Sequence, residues 1–172
     1  MDHLKEKKIA LFVADMYEDL EFWYPYYRMK EEGAEVTVIG PEAVDYRGKH
    51  GVPAKADHSI LSVKPKGFDA LIIPGGYAPD HMRRSPAMVN FVRQMHEQGK
   101  PVAAICHAGW MLASADIIRG RKVTSFHSIK DDMIHAGAEW VDQEVVEDAR
   151  IITSRRPGDL PAFCRTIIAS FS

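Results

Sequence analysis

Short apolar runs alternate with longer segments of helical period along this chain, and no Pro/Gly/Ser-rich stretch interrupts the alternation. Runs at Ile9–Val13, Glu35–Ile39, Ala70–Ile73, Val102–Ile105 and Val123–Ser125 read as strands. Several are apolar at consecutive positions, the mark of parallel strands covered on both faces by helices. Between them the period predicts helices from about Leu20 to Glu32, around Ala87–Gln98, from Gly109 to Ala115 and from Asp159 to Ser170, the last announced by Gly158-Asp159. The pattern is α/β with a mostly parallel sheet. Two stretches break it, Gly48–Gly51 with the short segments that follow, and Trp140–Ile152; both read as small antiparallel additions at the sheet edge.

Composition narrows the class. The chain has 172 residues, 46% hydrophobic and 27% charged, which suits one globular domain, residues 1–172, with residues 1–7 as a polar N-terminal extension. Net charge is -2, and the one basic cluster, Arg119 to Lys122, reads as a solvated turn, so a nucleic-acid footprint is not expected. The polar N-terminus leads straight into the first strand, which predicts neither a signal peptide nor a membrane span. Cys106 and Cys164 are the two cysteines; without C-x-x-C spacing they argue against a disulfide scaffold or zinc ribbon and for a reducing, cytoplasmic compartment.

Chemistry concentrates where a buried strand ends. Residues 101–109 read Pro-Val-Ala-Ala-Ile-Cys-His-Ala-Gly, an apolar run stopping at Cys106 and His107 before a small-residue turn and a helix. That is the sequence form of a nucleophile elbow, with the thiol at a helix start that favours thiolate. A lone cysteine in an apolar run is often packing, but packing requires neither an adjacent base nor a tight turn.

In open α/β sheets ligands sit at the carboxyl ends of strands, and three loops fall there: Asp15–Glu21, Pro74–Asp80 and Cys106–Gly109. Acids in the first loop cap a helix; Glu18 is singled out as a carboxyl that, held beside the thiol, stays protonated and donates to sulfur. Gly75 and Gly76 in the second loop allow backbone N–H groups to face the crevice as an oxyanion hole. No G-x-G-x-x-G or P-loop motif occurs, and the eight histidines lack compact ligand spacing, so no cofactor and no metal are expected. The aromatic cluster Trp23, Tyr24, Tyr26 and Tyr27 around Pro25 is too continuous to face one side and is expected in part to meet another subunit.

These residues resemble the PfpI-like intracellular cysteine proteases of the wider DJ-1/PfpI superfamily, which shares the class I glutamine amidotransferase-like fold. Beside Ala104 to His107, the resemblance covers Tyr17–Glu21, Gly48–Gly51, Phe68–Gly76, Ile129–Ile134, Ala136–Trp140, Thr153–Arg155 and Pro157–Leu160, nearly the whole chain from Lys8. It implies a flavodoxin-like three-layer sandwich, Cys106 at the elbow, Glu18 on its sulfur and His107 as general base or acid. It also implies an oxyanion hole from the Gly76 and His107 N–H groups, and a dimer or hexamer in which Asp80 completes a triad with the neighbouring subunit. Implied activities are peptidase, glyoxalase III and protein deglycase, with small aldehydes, peptides or glycated proteins as substrates.

The chain departs from the family pattern in three places. Cys106-His107-Ala108-Gly109 replaces the usual Cys-His-Gly-Pro, Asp80 is one methylene shorter than the usual Glu, and Phe126 followed by His127 stands where a tyrosine hydroxyl is expected. The departures weaken proteolysis more than aldehyde chemistry. The rival from another class is a redox sensor or chaperone that oxidises Cys106 and turns over no substrate.

Overall fold

The computed structural model describes residues 2–172. Its centre is a seven-stranded sheet in the order β10-β11-β7-β6-β1-β2-β5. The strands are β1 (Lys8–Phe12), β2 (Glu35–Gly40), β5 (His58–Ser59), β6 (Ala70–Ile73), β7 (Val102–Ile105), β10 (Val145–Asp148) and β11 (Ile151–Ser154). All neighbours run parallel except β10, which pairs antiparallel with β11. β6 and β7, at the centre of the sheet, are buried at every position, which explains their unbroken apolar character; β11 is equally buried although it ends in Thr153 and Ser154.

Helices α1 (Asp19–Glu31) and α6 (Leu160–Ala169) pack on each other, while α2 (Ala78–Arg83), α3 (Pro86–Glu97), α4 (Gly109–Ser114) and α5 (Lys130–His135) form a second group. Together they enclose the sheet in the flavodoxin-like three-layer arrangement expected. α3 shows how sequence makes such a helix: Ser85 caps it through Met88 N–H, Pro86 occupies the first turn, and Met88, Phe91, Val92 and Met95 form its buried stripe. No helix among the described residues is long and apolar enough to cross a membrane.

Three strand expectations need correction. Val123 does not enter the main sheet: β8 (Lys122–Val123) pairs with β9 (Glu139–Trp140) in a separate parallel ribbon. Thr124 and Ser125, assigned to that strand, continue as non-strand backbone in which Thr124 N–H donates to Thr153 Oγ1. β11 is no edge addition either, since it lies parallel beside β7; only β10 answers to that description. Gly48–Gly51 is the turn of a free-standing antiparallel hairpin, β3 (Asp45–Arg47) with β4 (Pro53–Lys55), outside the main sheet.

Candidate active site

The loops leaving β1, β6 and β7 meet at the carboxyl end of the sheet, as the strand pattern predicts. Tyr17 ties them together: its backbone bridges Gly48 on one side and Gly76 on the other, and its buried hydroxyl donates to the Val52 carbonyl while accepting from Trp23 Nε1. Cys106 follows β7 directly with φ +63°, a left-handed conformation that a β-carbon resists. Holding a non-glycine residue there is characteristic of strained functional turns, and it delivers the sulfur into the crevice.

The crevice is a cavity of about 480 Å³ bounded by Cys106, His107, Glu18, Glu21, Lys49 and Gly76, with Trp110, Phe126, Tyr77, Arg156 and Pro157 around its mouth. Cys106 Sγ lies 3.2 Å from His107 Nδ1. The His107 ring is stacked on Phe126 at 5.0 Å and meets Trp110 edge-on at 5.2 Å. Backbone N–H groups of Gly76 and His107 both point at the sulfur, the pair expected to form an oxyanion hole. Gly75, the third expected member, is not available for that role because its N–H donates to Glu21 Oε2 at 2.8 Å.

The carboxyl at the sulfur is Glu21 rather than Glu18. Glu18 caps α1 by accepting from Leu20 N–H and pairs with Lys49 Nζ at 2.9 Å, so its oxygens are committed to the helix start and to a cation. Glu21, one helical turn further on, is fully buried beside Cys106, with Oε2 on the Gly75 N–H and Oε1 without a hydrogen-bond partner. A β-carbon at Gly75 would stand 2.6 Å from Glu21 Oε2 and 2.7 Å from Cys106 Cβ, so glycine there is what lets acid and thiol converge.

Burial raises the Glu21 carboxyl from 4.5 to about 8, against the pull of the Gly75 N–H, which leaves it protonated at neutral pH. Burial, and then the Glu21 carboxylate charge, push the Cys106 thiol up to about 12. The second cause vanishes while Glu21 holds its proton, but the first does not. The helix start therefore does not by itself make this thiol a thiolate: desolvation outweighs it, and the resting pair is neutral. A base is needed, and burial and the Lys49 charge keep His107 below its ordinary value and hence neutral at pH 7.

The remaining expected residues are placed as follows. Asp80 sits in α2 with its carboxylate held by Arg84, the residue capping that helix, away from the cavity lining. Within one chain the structure does not bring it to His107. His127 is exposed and packs on Phe126 at 4.4 Å, lining a small adjoining cavity with Arg155 and Arg156. The hydroxyl that reaches His107 belongs to Ser128, 3.1 Å from Nε2, a residue the sequence reading passed over. Sequence reading also missed Lys49, although it lies within the Gly48–Gly51 motif, and Asp19, whose oxygens accept the His50 and Val52 N–H groups and so fix the turn that presents Lys49. Arg155, bonded through three nitrogens to Asp159, likewise anchors the segment carrying Arg156 and Pro157.

Glu18, Asp19 and His50 place ligand-type atoms within 4.8 Å of one another, the one such group of metal-ligand type among the described residues. Lys49 on Glu18, and the two backbone donors on Asp19, already occupy those carboxylates. The chemistry this arrangement supports is nucleophilic: a thiol, a base in contact with it, two donors for developing charge and a neutral carboxyl.

Comparison with known proteins agrees with this reading. Residues 7–170 match the family model described as the DJ-1/PfpI family. A deglycase from Pyrococcus horikoshii is 48% identical over 161 residues, 94% of this chain and 97% of that protein. Protein/nucleic acid deglycase 2 of Escherichia coli is 47% identical over 162 residues, 92% of this chain and 94% of that one. Among solved structures, a two-domain protein from Anabaena variabilis with DJ-1/ThiJ/PfpI-like and ferritin-like domains superposes with a TM-score of 0.94 at 42% identity. The match covers 96% of this chain and 48% of that longer one.

Proposed function

The chain belongs to the DJ-1/PfpI family as a cysteine-dependent enzyme, and from that premise we propose that it is a deglycase acting on the adducts that α-oxoaldehydes form with amino and thiol side chains. The observation that carries this reading is the contact of Cys106 Sγ with His107 Nδ1 at 3.2 Å, beside two inward N–H groups and the buried Glu21. A carboxyl titrating near 8 is matched to proton transfer at neutral pH.

In a methylglyoxal adduct of a lysine, the protonated Glu21 gives its proton to the ketone oxygen and, as carboxylate, takes the proton of the carbinol carbon; it then returns that proton to the former ketone carbon and recovers its own from the carbinol hydroxyl, leaving a lactoyl amide. This is the proton-moving role expected of Glu18, transferred to the acid that reaches the sulfur. His107 takes the Sγ proton, the thiolate adds to the lactoyl carbonyl, and the Gly76 and His107 N–H groups hold the oxyanion. Collapse expels the amine, which takes its proton from His107. Water then cleaves the thioester to lactate and restores the thiol. Free methylglyoxal, as its hydrate, enters the same site as a smaller substrate of the glyoxalase III type. Lys49 and the Glu18 carboxylate shape the polar wall of the pocket, while Trp110 and Phe126 form the apolar one.

The test is lactate release from methylglyoxal-treated N-acetyl-lysine after the free aldehyde has been removed. Release by the native protein and none by Cys106→Ala is expected; equal release by both refutes the assignment. Oxidation of Cys106 by mild peroxide without any turnover would favour the redox-sensor reading instead.

The protein acts in the cytoplasm, where Cys106 and Cys164 stay reduced, and it assembles with copies of itself. Leu20, Tyr24 and Tyr27 are 58%, 39% and 63% exposed on α1 around an open groove of about 790 Å³, an apolar face suited to a self-contact. Sedimentation of the native protein against Tyr27→Glu tests this, with a monomeric native protein as the refuting result.

A further inference from the structure

Both nitrogens of His107 are engaged: Nδ1 by Cys106 Sγ at 3.2 Å and Nε2 by the Ser128 hydroxyl at 3.1 Å. Ser128 reaches this position because its turn is pinned to the nucleophile's own backbone. Phe126 N–H donates to the Cys106 carbonyl at 3.2 Å, Ile129 N–H closes the turn on the Phe126 carbonyl, and Ile129 is buried in the core. On the other side of the ring, Trp110 is held by its Nε1 donating to Asp132 at 2.8 Å. Phe126 and Trp110 together clamp the plane of the imidazole, so its nitrogens face fixed partners.

The clamp matters because the thiol is protonated at rest. Only the tautomer with hydrogen on Nε2 leaves a lone pair on Nδ1 to receive the sulfur's proton. We infer that Ser128 is the positioning residue of the site: its Oγ accepts from Nε2–H, selects the reactive tautomer and completes a Cys106–His107–Ser128 relay within one chain. The Sγ–H bond breaks, the Nδ1–H bond forms, and the resulting imidazolium keeps its Nε2–H on Ser128 while the thiolate attacks. Within this chain Asp80 is held by Arg84, and Ser128 is the residue on Nε2.

Charged and titratable groups around the ring act in both directions. Lys49 from the hairpin turn and His127 from the Ser128 turn disfavour imidazolium, Asp132 from α5 favours it, and the Cys106 thiol is its proton partner. A hydroxyl both donates and accepts, so with the Sγ–H donating to Nδ1 it is left to accept from Nε2–H, and it adds no charge to this balance.

This inference deepens the deglycase reading and rests on the same thiol, so its test avoids substrate altogether. Nitrogen-15 NMR of labelled histidine assigns the His107 tautomer in the native protein and in Ser128→Ala and Ser128→Thr. Iodoacetamide alkylation of Cys106 across pH 6–9 follows its reactivity. Native His107 is expected with hydrogen on Nε2, and Ser128→Ala is expected to shift it towards Nδ1–H and to slow alkylation at neutral pH roughly five- to tenfold, the usual effect of one hydrogen bond. Ser128→Thr is expected to restore both within about twofold. An Nδ1–H native ring, an unchanged or faster Ser128→Ala, or a threonine variant as slow as alanine overturns the inference. Absence of lactate release would sink the deglycase reading while leaving these results standing.

Discussion

Glu21→Gln is the perturbation that separates a buried protonated acid from an ordinary carboxylate. The group rises from 4.5 to about 8, burial being the largest cause. Between those values the folded protein keeps a proton that the unfolded chain has released, so unfolding releases a proton and stability falls as pH rises across the window. At 1.36 kcal/mol per unit the full loss is about 5 kcal/mol, complete only above pH 8, and about 3 kcal/mol of it is already incurred at pH 7. Glutamine keeps an oxygen for the Gly75 N–H and cannot titrate, so this loss is absent from the variant. Urea unfolding of both proteins under reducing conditions at pH 5 and pH 8 is the assay. Cys106 and Cys164 are both pushed up to about 12, and their unfolded thiols titrate above the window, so neither confuses the comparison. The native protein is expected to lose about 3 kcal/mol more than the variant between the two pH values. Lactate release is expected to fall roughly a hundredfold or more with the loss of the general acid–base group. Two unfolding series that run parallel would show that Glu21 is not protonated in the folded protein, and the proton-transfer role would fall with it.

Three further outcomes follow from the same geometry. Gly76→Ala places a β-carbon against the backbone of Met16 and Glu18 at φ +75°, and is expected to destabilise by about 3 kcal/mol in thermal or urea unfolding and to slow Cys106 alkylation as the N–H pair is displaced. Lys49→Met removes a cation that holds both Glu21 and His107 down, so the pH profile of Cys106 alkylation is expected to shift upward; a profile that stays in place or moves down would contradict the wiring of the pocket. Asp159→Ala strips a buried carboxylate from Arg155 and is expected to cost about 2–3 kcal/mol in urea unfolding, with KM rising more than kcat falls because Arg156 and Pro157 lose their anchor rather than the thiol its base.

How far sequence carries depends on whether a residue's surroundings are local. β1, β2, β6 and β7 are legible to within a residue because their β-branched and apolar runs are buried over most of their length and their neighbours are strands of the same kind. β11 is hidden because its second half, Thr153 and Ser154, is polar yet buried; its Thr153 hydroxyl serves Thr124, a partner 29 residues away that no local pattern announces. Val123 misleads in the opposite sense, an apolar residue that pairs with Trp140 in a separate ribbon. The sharp turn at Cys106 is legible because an elbow is a local device, and its φ of +63° fits the Ile-Cys-His-Ala spacing. Ser128 was not, since nothing in His127-Ser128-Ile129 signals that Phe126 N–H is bonded to Cys106 across the crevice.

The two acids of the first loop show why a carboxylate at a helix start cannot be assigned from its position alone. Glu18 and Glu21 are three apart, so both lie on the same side of α1's first turn and both fit a description of acids that complement a helix dipole. What divides them is where the cap ends. Glu18 stands outside the helix with extended backbone, which turns its side chain back onto Leu20 N–H and out towards Lys49. Glu21 is already inside the helix, and its side chain falls on the buried side, between Gly75 and Cys106. The outer acid has a backbone donor and a cation within reach; the inner one, offered a single N–H beside a thiol, relieves its burial by keeping a proton. One helix start thus supplies a structural carboxylate and a neutral acid within a single turn. The second can remain beside a protonated thiol only because glycine at position 75 leaves room for both.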